Sequence, residues 1–147
     1  MKVYLVQHAK SKSEQEDPAR PLSEEGRNDL EKIAKFLDIK VLKILHSGKL
    51  RAKQTAEIFS KSLNAEVQNV EALEPLADPT IWAEKLDKET DDVMIVGHLP
   101  HLEKLASLLL CKDSVRKVIA FKQGGVVCLE KTEGWAVAWM VVPDLLR

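Results

Sequence analysis

The chain alternates short apolar runs with segments of helical periodicity. The runs at 3–6 and 93–96 are apolar throughout, which is typical of strands buried on both faces of a sheet. Between such runs, apolar residues recur at intervals of three and four, the spacing of one helix face. A strand–helix–strand–helix order predicts an α/β fold, with three α/β/α layers and a mostly parallel central sheet.

Capping and turn residues divide the rest of the chain. Ser23 is expected to cap the first helix, and Pro100 is expected to open the last one. Gly124, Gly125 and Gly134 are expected to form turns in the tail. There the predicted strands follow one another without helices between them. The sequence predicts further strands at 41–45, 65–70, 118–121, 126–130 and 136–142.

Length and composition indicate a single globular domain over 1–147. Lys plus Arg number 22 and Asp plus Glu number 23, for a net charge of -1, so a nucleic-acid partner is not expected. No apolar run approaches the roughly 20 residues of a membrane span. The two cysteines, Cys111 and Cys128, are too few for a disulfide scaffold and lack the spacing of metal ligands. We therefore expect a soluble cytoplasmic domain with no membrane association, while the oligomeric state stays open.

Two histidines and an arginine follow the predicted strands. His8 comes after the first strand, His98 comes after the run at 93–96, and Arg51 lies in the segment after the second strand. A lone histidine after a strand is more often structural, but in parallel sheets these ends meet at one edge, where ligands bind. Arginine and helix N-termini favour phosphate there, and a neutral imidazole can attack phosphorus. Convergence of the three side chains predicts a site for phosphoryl transfer.

Four segments, in the same order along the chain, resemble the motifs of the histidine phosphatase superfamily, which has the phosphoglycerate-mutase-like fold. Leu5–Ser11 resembles the Arg-His-Gly/Ala signature, and Arg20–Gly26 resembles the "RPL…G" segment of the small SixA-like branch. Ser47–Ala56 resembles the "SPxxRAxQTA" motif, and Val96–Pro100 resembles the "GHxP" motif. Their span covers about two-thirds of the chain.

The resemblance implies a role for each motif residue. His8 would be the nucleophile that forms a phosphohistidine intermediate, which water then hydrolyses. Arg51 and His98 would bind the phosphoryl group and stabilise its transition state. The resemblance also implies contacts with phosphate or substrate from Gln7, Arg20, Ser47 and the backbone N–H of Leu99.

The SixA-like branch is associated with removing phosphate from phosphohistidine on the histidine-phosphotransfer domains of signalling proteins. The resemblance therefore implies such a phosphorylated protein, or a small phosphorylated molecule, as the partner, and it implies no metal and no organic cofactor. A general acid is not obvious, although Glu74 and Asp78 lie in a loop where one could sit. A labile P–N bond has less need of an acid, which favours a phosphoramidate substrate over an alkyl phosphate.

Gln7 departs from the family pattern, which has arginine before the nucleophile. Glutamine offers two N–H donors but no charge, and losing a charge-assisted hydrogen bond costs on the order of ten- to a hundredfold in rate. We hypothesise that Lys49 or His46 partly restores this charge. The alternative function is a catalytically weakened pseudoenzyme that binds phosphate or a phosphoprotein. His101 is expected to be a solvated residue of a first helical turn.

Overall fold

The computed structural model describes all residues, 1–147. Four α-helices and six strands alternate as the sequence predicts, up to the last two strands, which follow one another directly. The strands are β1 (Lys2–Gln7), β2 (Lys43–His46), β3 (Glu66–Asn69), β4 (Val93–Gly97), β5 (Val126–Lys131) and β6 (Trp135–Val141). The helices are α1 (Glu24–Phe36), α2 (Leu50–Leu63), α3 (Pro79–Lys88) and α4 (His101–Cys111), and a 3-10 turn spans Pro143–Leu145.

One sheet holds all six strands in the order β3-β2-β4-β1-β5-β6. The first four of these run parallel, whereas β5 and β6 are antiparallel to their neighbours. The prediction of a mostly parallel central sheet is thus confirmed. Because β2, β4 and β1 are adjacent and parallel, their carboxyl ends form a continuous edge of the sheet.

Alternate side chains of the strands fill two separate cores. Along β1, Tyr4 and Val6 face the layer formed by α1 and α2, whereas Val3 and Leu5 face the layer formed by α3 and α4. This alternation follows from the two-residue period of a strand. It confirms the three-layer α/β/α arrangement, in which the sheet edge is left open between the helical layers.

Two of the expected strands differ in the structure. The second strand lies slightly later than 41–45, and Val41 instead packs in the core just before β2. The prediction of a strand at 118–121 is wrong. Ile119 and Phe121 are buried against the α3–α4 side of the sheet while Val118 is exposed, so the alternation records burial beneath helices and involves no strand pairing.

The start of α1 is fastened to the loop that follows β1. Ser23 caps the helix, since its hydroxyl accepts a hydrogen bond from the N–H of Gly26 at 3.1 Å. The Ser23 hydroxyl and N–H both donate to the carbonyl of Lys10. A Cβ on Gly26 would collide with that same carbonyl, so only glycine permits this close approach. The cap therefore fixes the loop that begins with His8.

None of the four helices combines the length and apolar composition that a membrane crossing needs.

Candidate active site

The structure brings the histidines that follow β1 and β4 to one point of the sheet edge. The backbone N–H of His8 donates to the carbonyl of Gly97 at 3.0 Å, which extends the β1–β4 ladder by one residue. This bond keeps His8 beside His98, and their ring centroids are 5.1 Å apart with the planes tilted by 55°. Ser47, directly after β2, reaches the same point from the next strand.

The imidazole of His8 has a defined tautomer. Its Nδ1 lies 2.8 Å from the carbonyl oxygen of Ala9, and because a carbonyl only accepts, Nδ1 carries the proton and Nε2 keeps its lone pair. Burial lowers the pKa of His8 to about 4, and the charges of Arg51 and Arg20 act in the same direction against the Ala9 hydrogen bond. The ring is therefore neutral at pH 7, with Nε2 in the nucleophilic form.

His98 is buried more deeply than His8. Its Nε2 lies 2.6 Å from the hydroxyl oxygen of Ser47, while its Nδ1 is enclosed and has no hydrogen-bond partner. Burial, followed by the charges of His8, Arg51 and Lys49, lowers the pKa of His98 to about 3. In the absence of an anion this ring is neutral. A bound phosphoryl dianion opposes these positive charges and so favours protonation of the ring.

Arg51 lies in the first turn of α2 and is half-buried, with its Nε unpartnered. Burial and the charge of Arg20 lower its pKa, yet a guanidinium keeps its proton at neutral pH. Thr55 connects this turn to the nucleophile loop, because its hydroxyl donates to the carbonyl of Arg51 at 2.8 Å and accepts from the N–H of Ala9 at 3.2 Å. No role for Thr55 follows from the sequence, although its position four residues after Arg51 is compatible with this bond.

The other predicted phosphate contacts lie around this centre. Gln7 ends β1 and is half-buried, and its Oε1 is enclosed without a partner. Arg20 donates to the carbonyl of Lys12 at 3.3 Å and to the hydroxyl of Ser11 at 3.1 Å, while its charge still lowers the pKa of His8. Leu99 follows His98 directly and precedes a cis peptide bond to Pro100.

The two residues expected to replace the missing charge differ in their state. The Nδ1 of His46 accepts a hydrogen bond from the N–H of Gly48 at 3.0 Å, so that nitrogen holds no proton. Burial also lowers the pKa of His46, and its ring is neutral at pH 7. Lys49 is exposed, and its charge contributes to the lowered pKa of His98. Lys49 therefore supplies positive charge near the site, whereas His46 does not.

The candidate acids Glu74 and Asp78 lie in the loop before α3. One carboxylate oxygen of Asp78 accepts from the N–H of Thr80 at 3.0 Å and from its hydroxyl at 2.8 Å. These bonds cap α3 and lower the pKa of Asp78, so this group is held as a carboxylate and is unsuited to giving a proton. Glu74 is exposed on the same loop.

His101 is placed differently from its sequence-based expectation. The expected solvated residue is completely buried, and neither ring nitrogen has a hydrogen-bond partner. Because α4 packs against α3, its first turn is enclosed. Burial lowers the pKa of His101, while the carboxylates of Glu74 and Asp78 raise it. Periodicity did not reveal this, since a single polar residue in a first turn is normally exposed.

The structure has no group of three or more His, Cys, Asp or Glu side chains arranged to hold a metal ion.

Several solved structures of phosphatases have this fold. A protein histidine phosphatase SixA complexed with tungstate has a TM-score of 0.87 and 22% identity, with both chains covered fully. SixA from Agrobacterium tumefaciens has a TM-score of 0.78 and 22% identity, with 97% of each chain covered. The α-ribazole phosphatase from Shigella flexneri has a TM-score of 0.74 and 15% identity over 97% of this chain and 96% of that one.

Sequence comparison gives a family match that the fold supports. No curated protein matches the chain in sequence. The family model of the histidine phosphatase superfamily (branch 1) matches residues 3–77, just over half of the chain. The matched region contains His8 and Arg51, and the fold places His98 beside them. The chain belongs to the histidine phosphatase superfamily.

Proposed function

We propose that this protein is a phosphatase that removes phosphate from phosphohistidine on a signalling protein, through a phospho-His8 intermediate. The observation that carries the proposal is the state of His8, whose neutral ring has a free Nε2 beside His98 and the guanidinium of Arg51. The partner in this proposal is a histidine-phosphotransfer domain in the cytoplasm. The proposed reaction uses no metal ion and no organic cofactor.

The first step transfers the phosphoryl group to the protein. The Nε2 lone pair of His8 attacks phosphorus, and the P–N bond of the substrate breaks. The departing imidazole keeps the bonding electron pair and takes a proton from solvent. Arg51 and a protonated His98 donate hydrogen bonds to the phosphoryl oxygens, where charge is concentrated in the transition state.

The second step regenerates the nucleophile. Water attacks phosphorus and the bond between phosphorus and Nε2 of His8 breaks, so the electron pair returns to Nε2. A proton of the attacking water is lost as inorganic phosphate forms. The hydrogen bond from Nδ1 of His8 to the carbonyl of Ala9 holds the ring in one orientation throughout both steps.

The state of the two candidate general acids favours a substrate whose leaving group departs without help from an acid. Asp78 is held as a carboxylate by Thr80, and Glu74 is exposed. A phosphohistidine substrate needs little acid assistance because imidazole leaves readily from phosphorus. The SixA proteins have the same fold, and one of them is a protein histidine phosphatase that binds tungstate, which supports this substrate class.

The test is single-turnover loss of phosphate from a phosphohistidine protein, with wild type compared against His8→Ala. We expect fast loss with wild type and background loss with the variant. Parallel reactions with a phosphoserine peptide and an aryl phosphate define the substrate class. Equal rates for wild type and His8→Ala on every substrate would contradict the proposal.

Gln7 favours a second candidate, a pseudoenzyme that binds phosphate or a phosphoprotein. Its side chain has no charge where the family has arginine, and its Oε1 has no partner. Acid-quenched trapping of phospho-His8 separates the two functions. A covalent phosphoenzyme supports the phosphatase, whereas tight phosphate binding with no trapped intermediate supports the pseudoenzyme.

A further inference from the structure

Two buried histidines at the start of α4, His98 and His101, have ring nitrogens without hydrogen-bond partners. His98 lacks a partner at Nδ1, and His101 lacks one at both Nδ1 and Nε2. An enclosed polar atom without a hydrogen bond destabilises the folded state, and most such atoms in native proteins are satisfied. Three of them in two neighbouring rings therefore call for an explanation.

The two rings lie on the same short piece of backbone. His98 precedes α4 by three residues, and its carbonyl accepts the N–H of Leu102 at 2.9 Å, which closes one helical turn. Residues three apart on a helical turn are neighbours. Both side chains are buried, His98 at 2% and His101 at 0% exposure. The two side chains thus leave the same turn at the start of α4, and no hydrogen bond joins their rings in the free protein.

We infer that His101 is a positioning residue that accepts a hydrogen bond from Nδ1–H of His98 when His98 becomes an imidazolium on binding an anion. The inference rests on the proposed function insofar as the anion is the phosphoryl group. An imidazolium has two N–H donors. The Nε2 of His98 lies against the Ser47 hydroxyl, so its N–H is available to Ser47 or to the anion, while the enclosed Nδ1–H requires an acceptor, which a neutral His101 provides.

The surrounding charges give the proton balance of this event. Burial is the main reason that His98 is neutral while the site is empty, and Arg51 and Lys49 act in the same direction from α2 and the loop before it. Glu74 and Asp78 act on His101 from the loop before α3. A dianion that enters the site supplies two negative charges, and His98 takes one proton from solvent at Nε2 or Nδ1. Binding of a dianion therefore takes up one proton.

Sulfate is the probe, because it is a dianion at neutral pH and cannot itself take up the proton. Calorimetric titrations at pH 7 in two buffers of different ionisation enthalpy give both the affinity and the protons taken up. For wild type we expect measurable proton uptake on sulfate binding, with one proton per sulfate as the upper bound. For His101→Phe we expect about tenfold weaker binding or more and a markedly smaller proton uptake.

Two further variants separate positioning from packing. His101→Gln keeps an acceptor oxygen in the same place and is expected to restore most of the affinity and the proton uptake. Leu105→Met, one turn further along α4 and also buried, is expected to bind sulfate as wild type does. His101→Phe removes two unpartnered nitrogens, so its thermal unfolding temperature is expected to equal or exceed that of wild type.

The outcomes distinguish this inference from the proposed function. Wild-type affinity and proton uptake in folded His101→Phe would overturn the inference, even where phosphatase activity is present. If His101→Phe does not fold, the same measurements on His101→Gln and His101→Leu decide, and equal behaviour of these two would also overturn it. If wild type has no phosphatase activity but His101→Phe still loses the proton uptake that wild type shows, the inference is supported. Only the proposed phosphatase function is then contradicted.

Discussion

At the scale of single residues, we expect Gln7 to limit the strength of phosphate binding. It ends β1 directly before the nucleophile and brings no charge to the site. We expect Gln7→Arg to bind inorganic phosphate about tenfold more tightly, because a forked cationic donor replaces a neutral amide. Equilibrium titration with phosphate measures this. Gln7→Met is the matched neutral control and should show no gain, and an affinity of Gln7→Arg equal to that of wild type would show that charge at this position is not limiting.

His8 is the residue whose removal separates chemistry from binding. We expect His8→Ala to lose phosphoryl transfer entirely while it still binds tungstate, because Arg51 and His98 hold the anion without forming a bond to it. Stopped-flow turnover and tungstate titration on the same preparation check both halves. Residual turnover in His8→Ala, in a sample free of other phosphatases, would remove His8 from the role of nucleophile.

The sequence indicated which residues meet at the sheet edge better than it indicated their protonation and burial. His8, Arg51 and His98 follow from strand ends and motif spacing, since the end of a strand fixes where the next side chain lies. The burial of His101 and the neutral form of His46 could not be predicted in this way. The burial of His101 depends on α3, which packs against α4 from another part of the chain. The state of His46 depends on a local turn that brings the Gly48 N–H to its Nδ1.

At the scale of elements, Lys131 joins the end of α3 to β5. Its ammonium donates to the carbonyls of Leu86, Asp87 and Glu89 at 2.9, 2.9 and 2.8 Å. These carbonyls lie at the helix C-terminus, where a cation is also favoured by the helix dipole. Lys131 thus fixes the α3 end against the sheet.

We expect Lys131→Met to lower the free energy of unfolding by about 1–3 kcal/mol, because methionine keeps the apolar stem but removes the charged donor. Urea denaturation measures the change. Lys88→Met, in the last turn of the same helix, is the control for loss of a lysine charge and should lie within about 0.5 kcal/mol of wild type. Equal destabilisation by both variants would show that the three hydrogen bonds contribute nothing specific.

The elements themselves were largely predictable, because periods of two and of about 3.6 residues separate strands from helices. The exception at 118–121 is instructive. Ile119 and Phe121 alternate with exposed residues as a strand would, but pairing needs a free sheet edge, and the edge beyond β5 is taken by β6. Hydropathy reports burial, whereas only the topology decides which buried segment pairs.

At the scale of the whole molecule, the buried imidazoles tie stability to pH. Burial lowers the pKa of His8 to about 4 and that of His98 to about 3, whereas the same rings in the unfolded chain titrate near 6.5. Between these values the unfolded state binds protons that the folded state does not. Stability is therefore fully present above pH 6.5 and falls as the pH is lowered toward 4, the sign that linkage requires.

We expect the free energy of unfolding to fall between pH 6.5 and 5, with each of these two histidines contributing up to roughly 1.4 kcal/mol per pH unit. Most carboxylates stay ionised over this window, so their titration adds little to the slope. Urea denaturation at a series of pH values measures the slope for wild type, His8→Gln and His98→Gln. Each substitution should flatten it, because glutamine binds no proton in either state. A slope unchanged by both substitutions would mean that neither ring is kept neutral by the fold, and the nucleophile would then lack the state on which its chemistry depends.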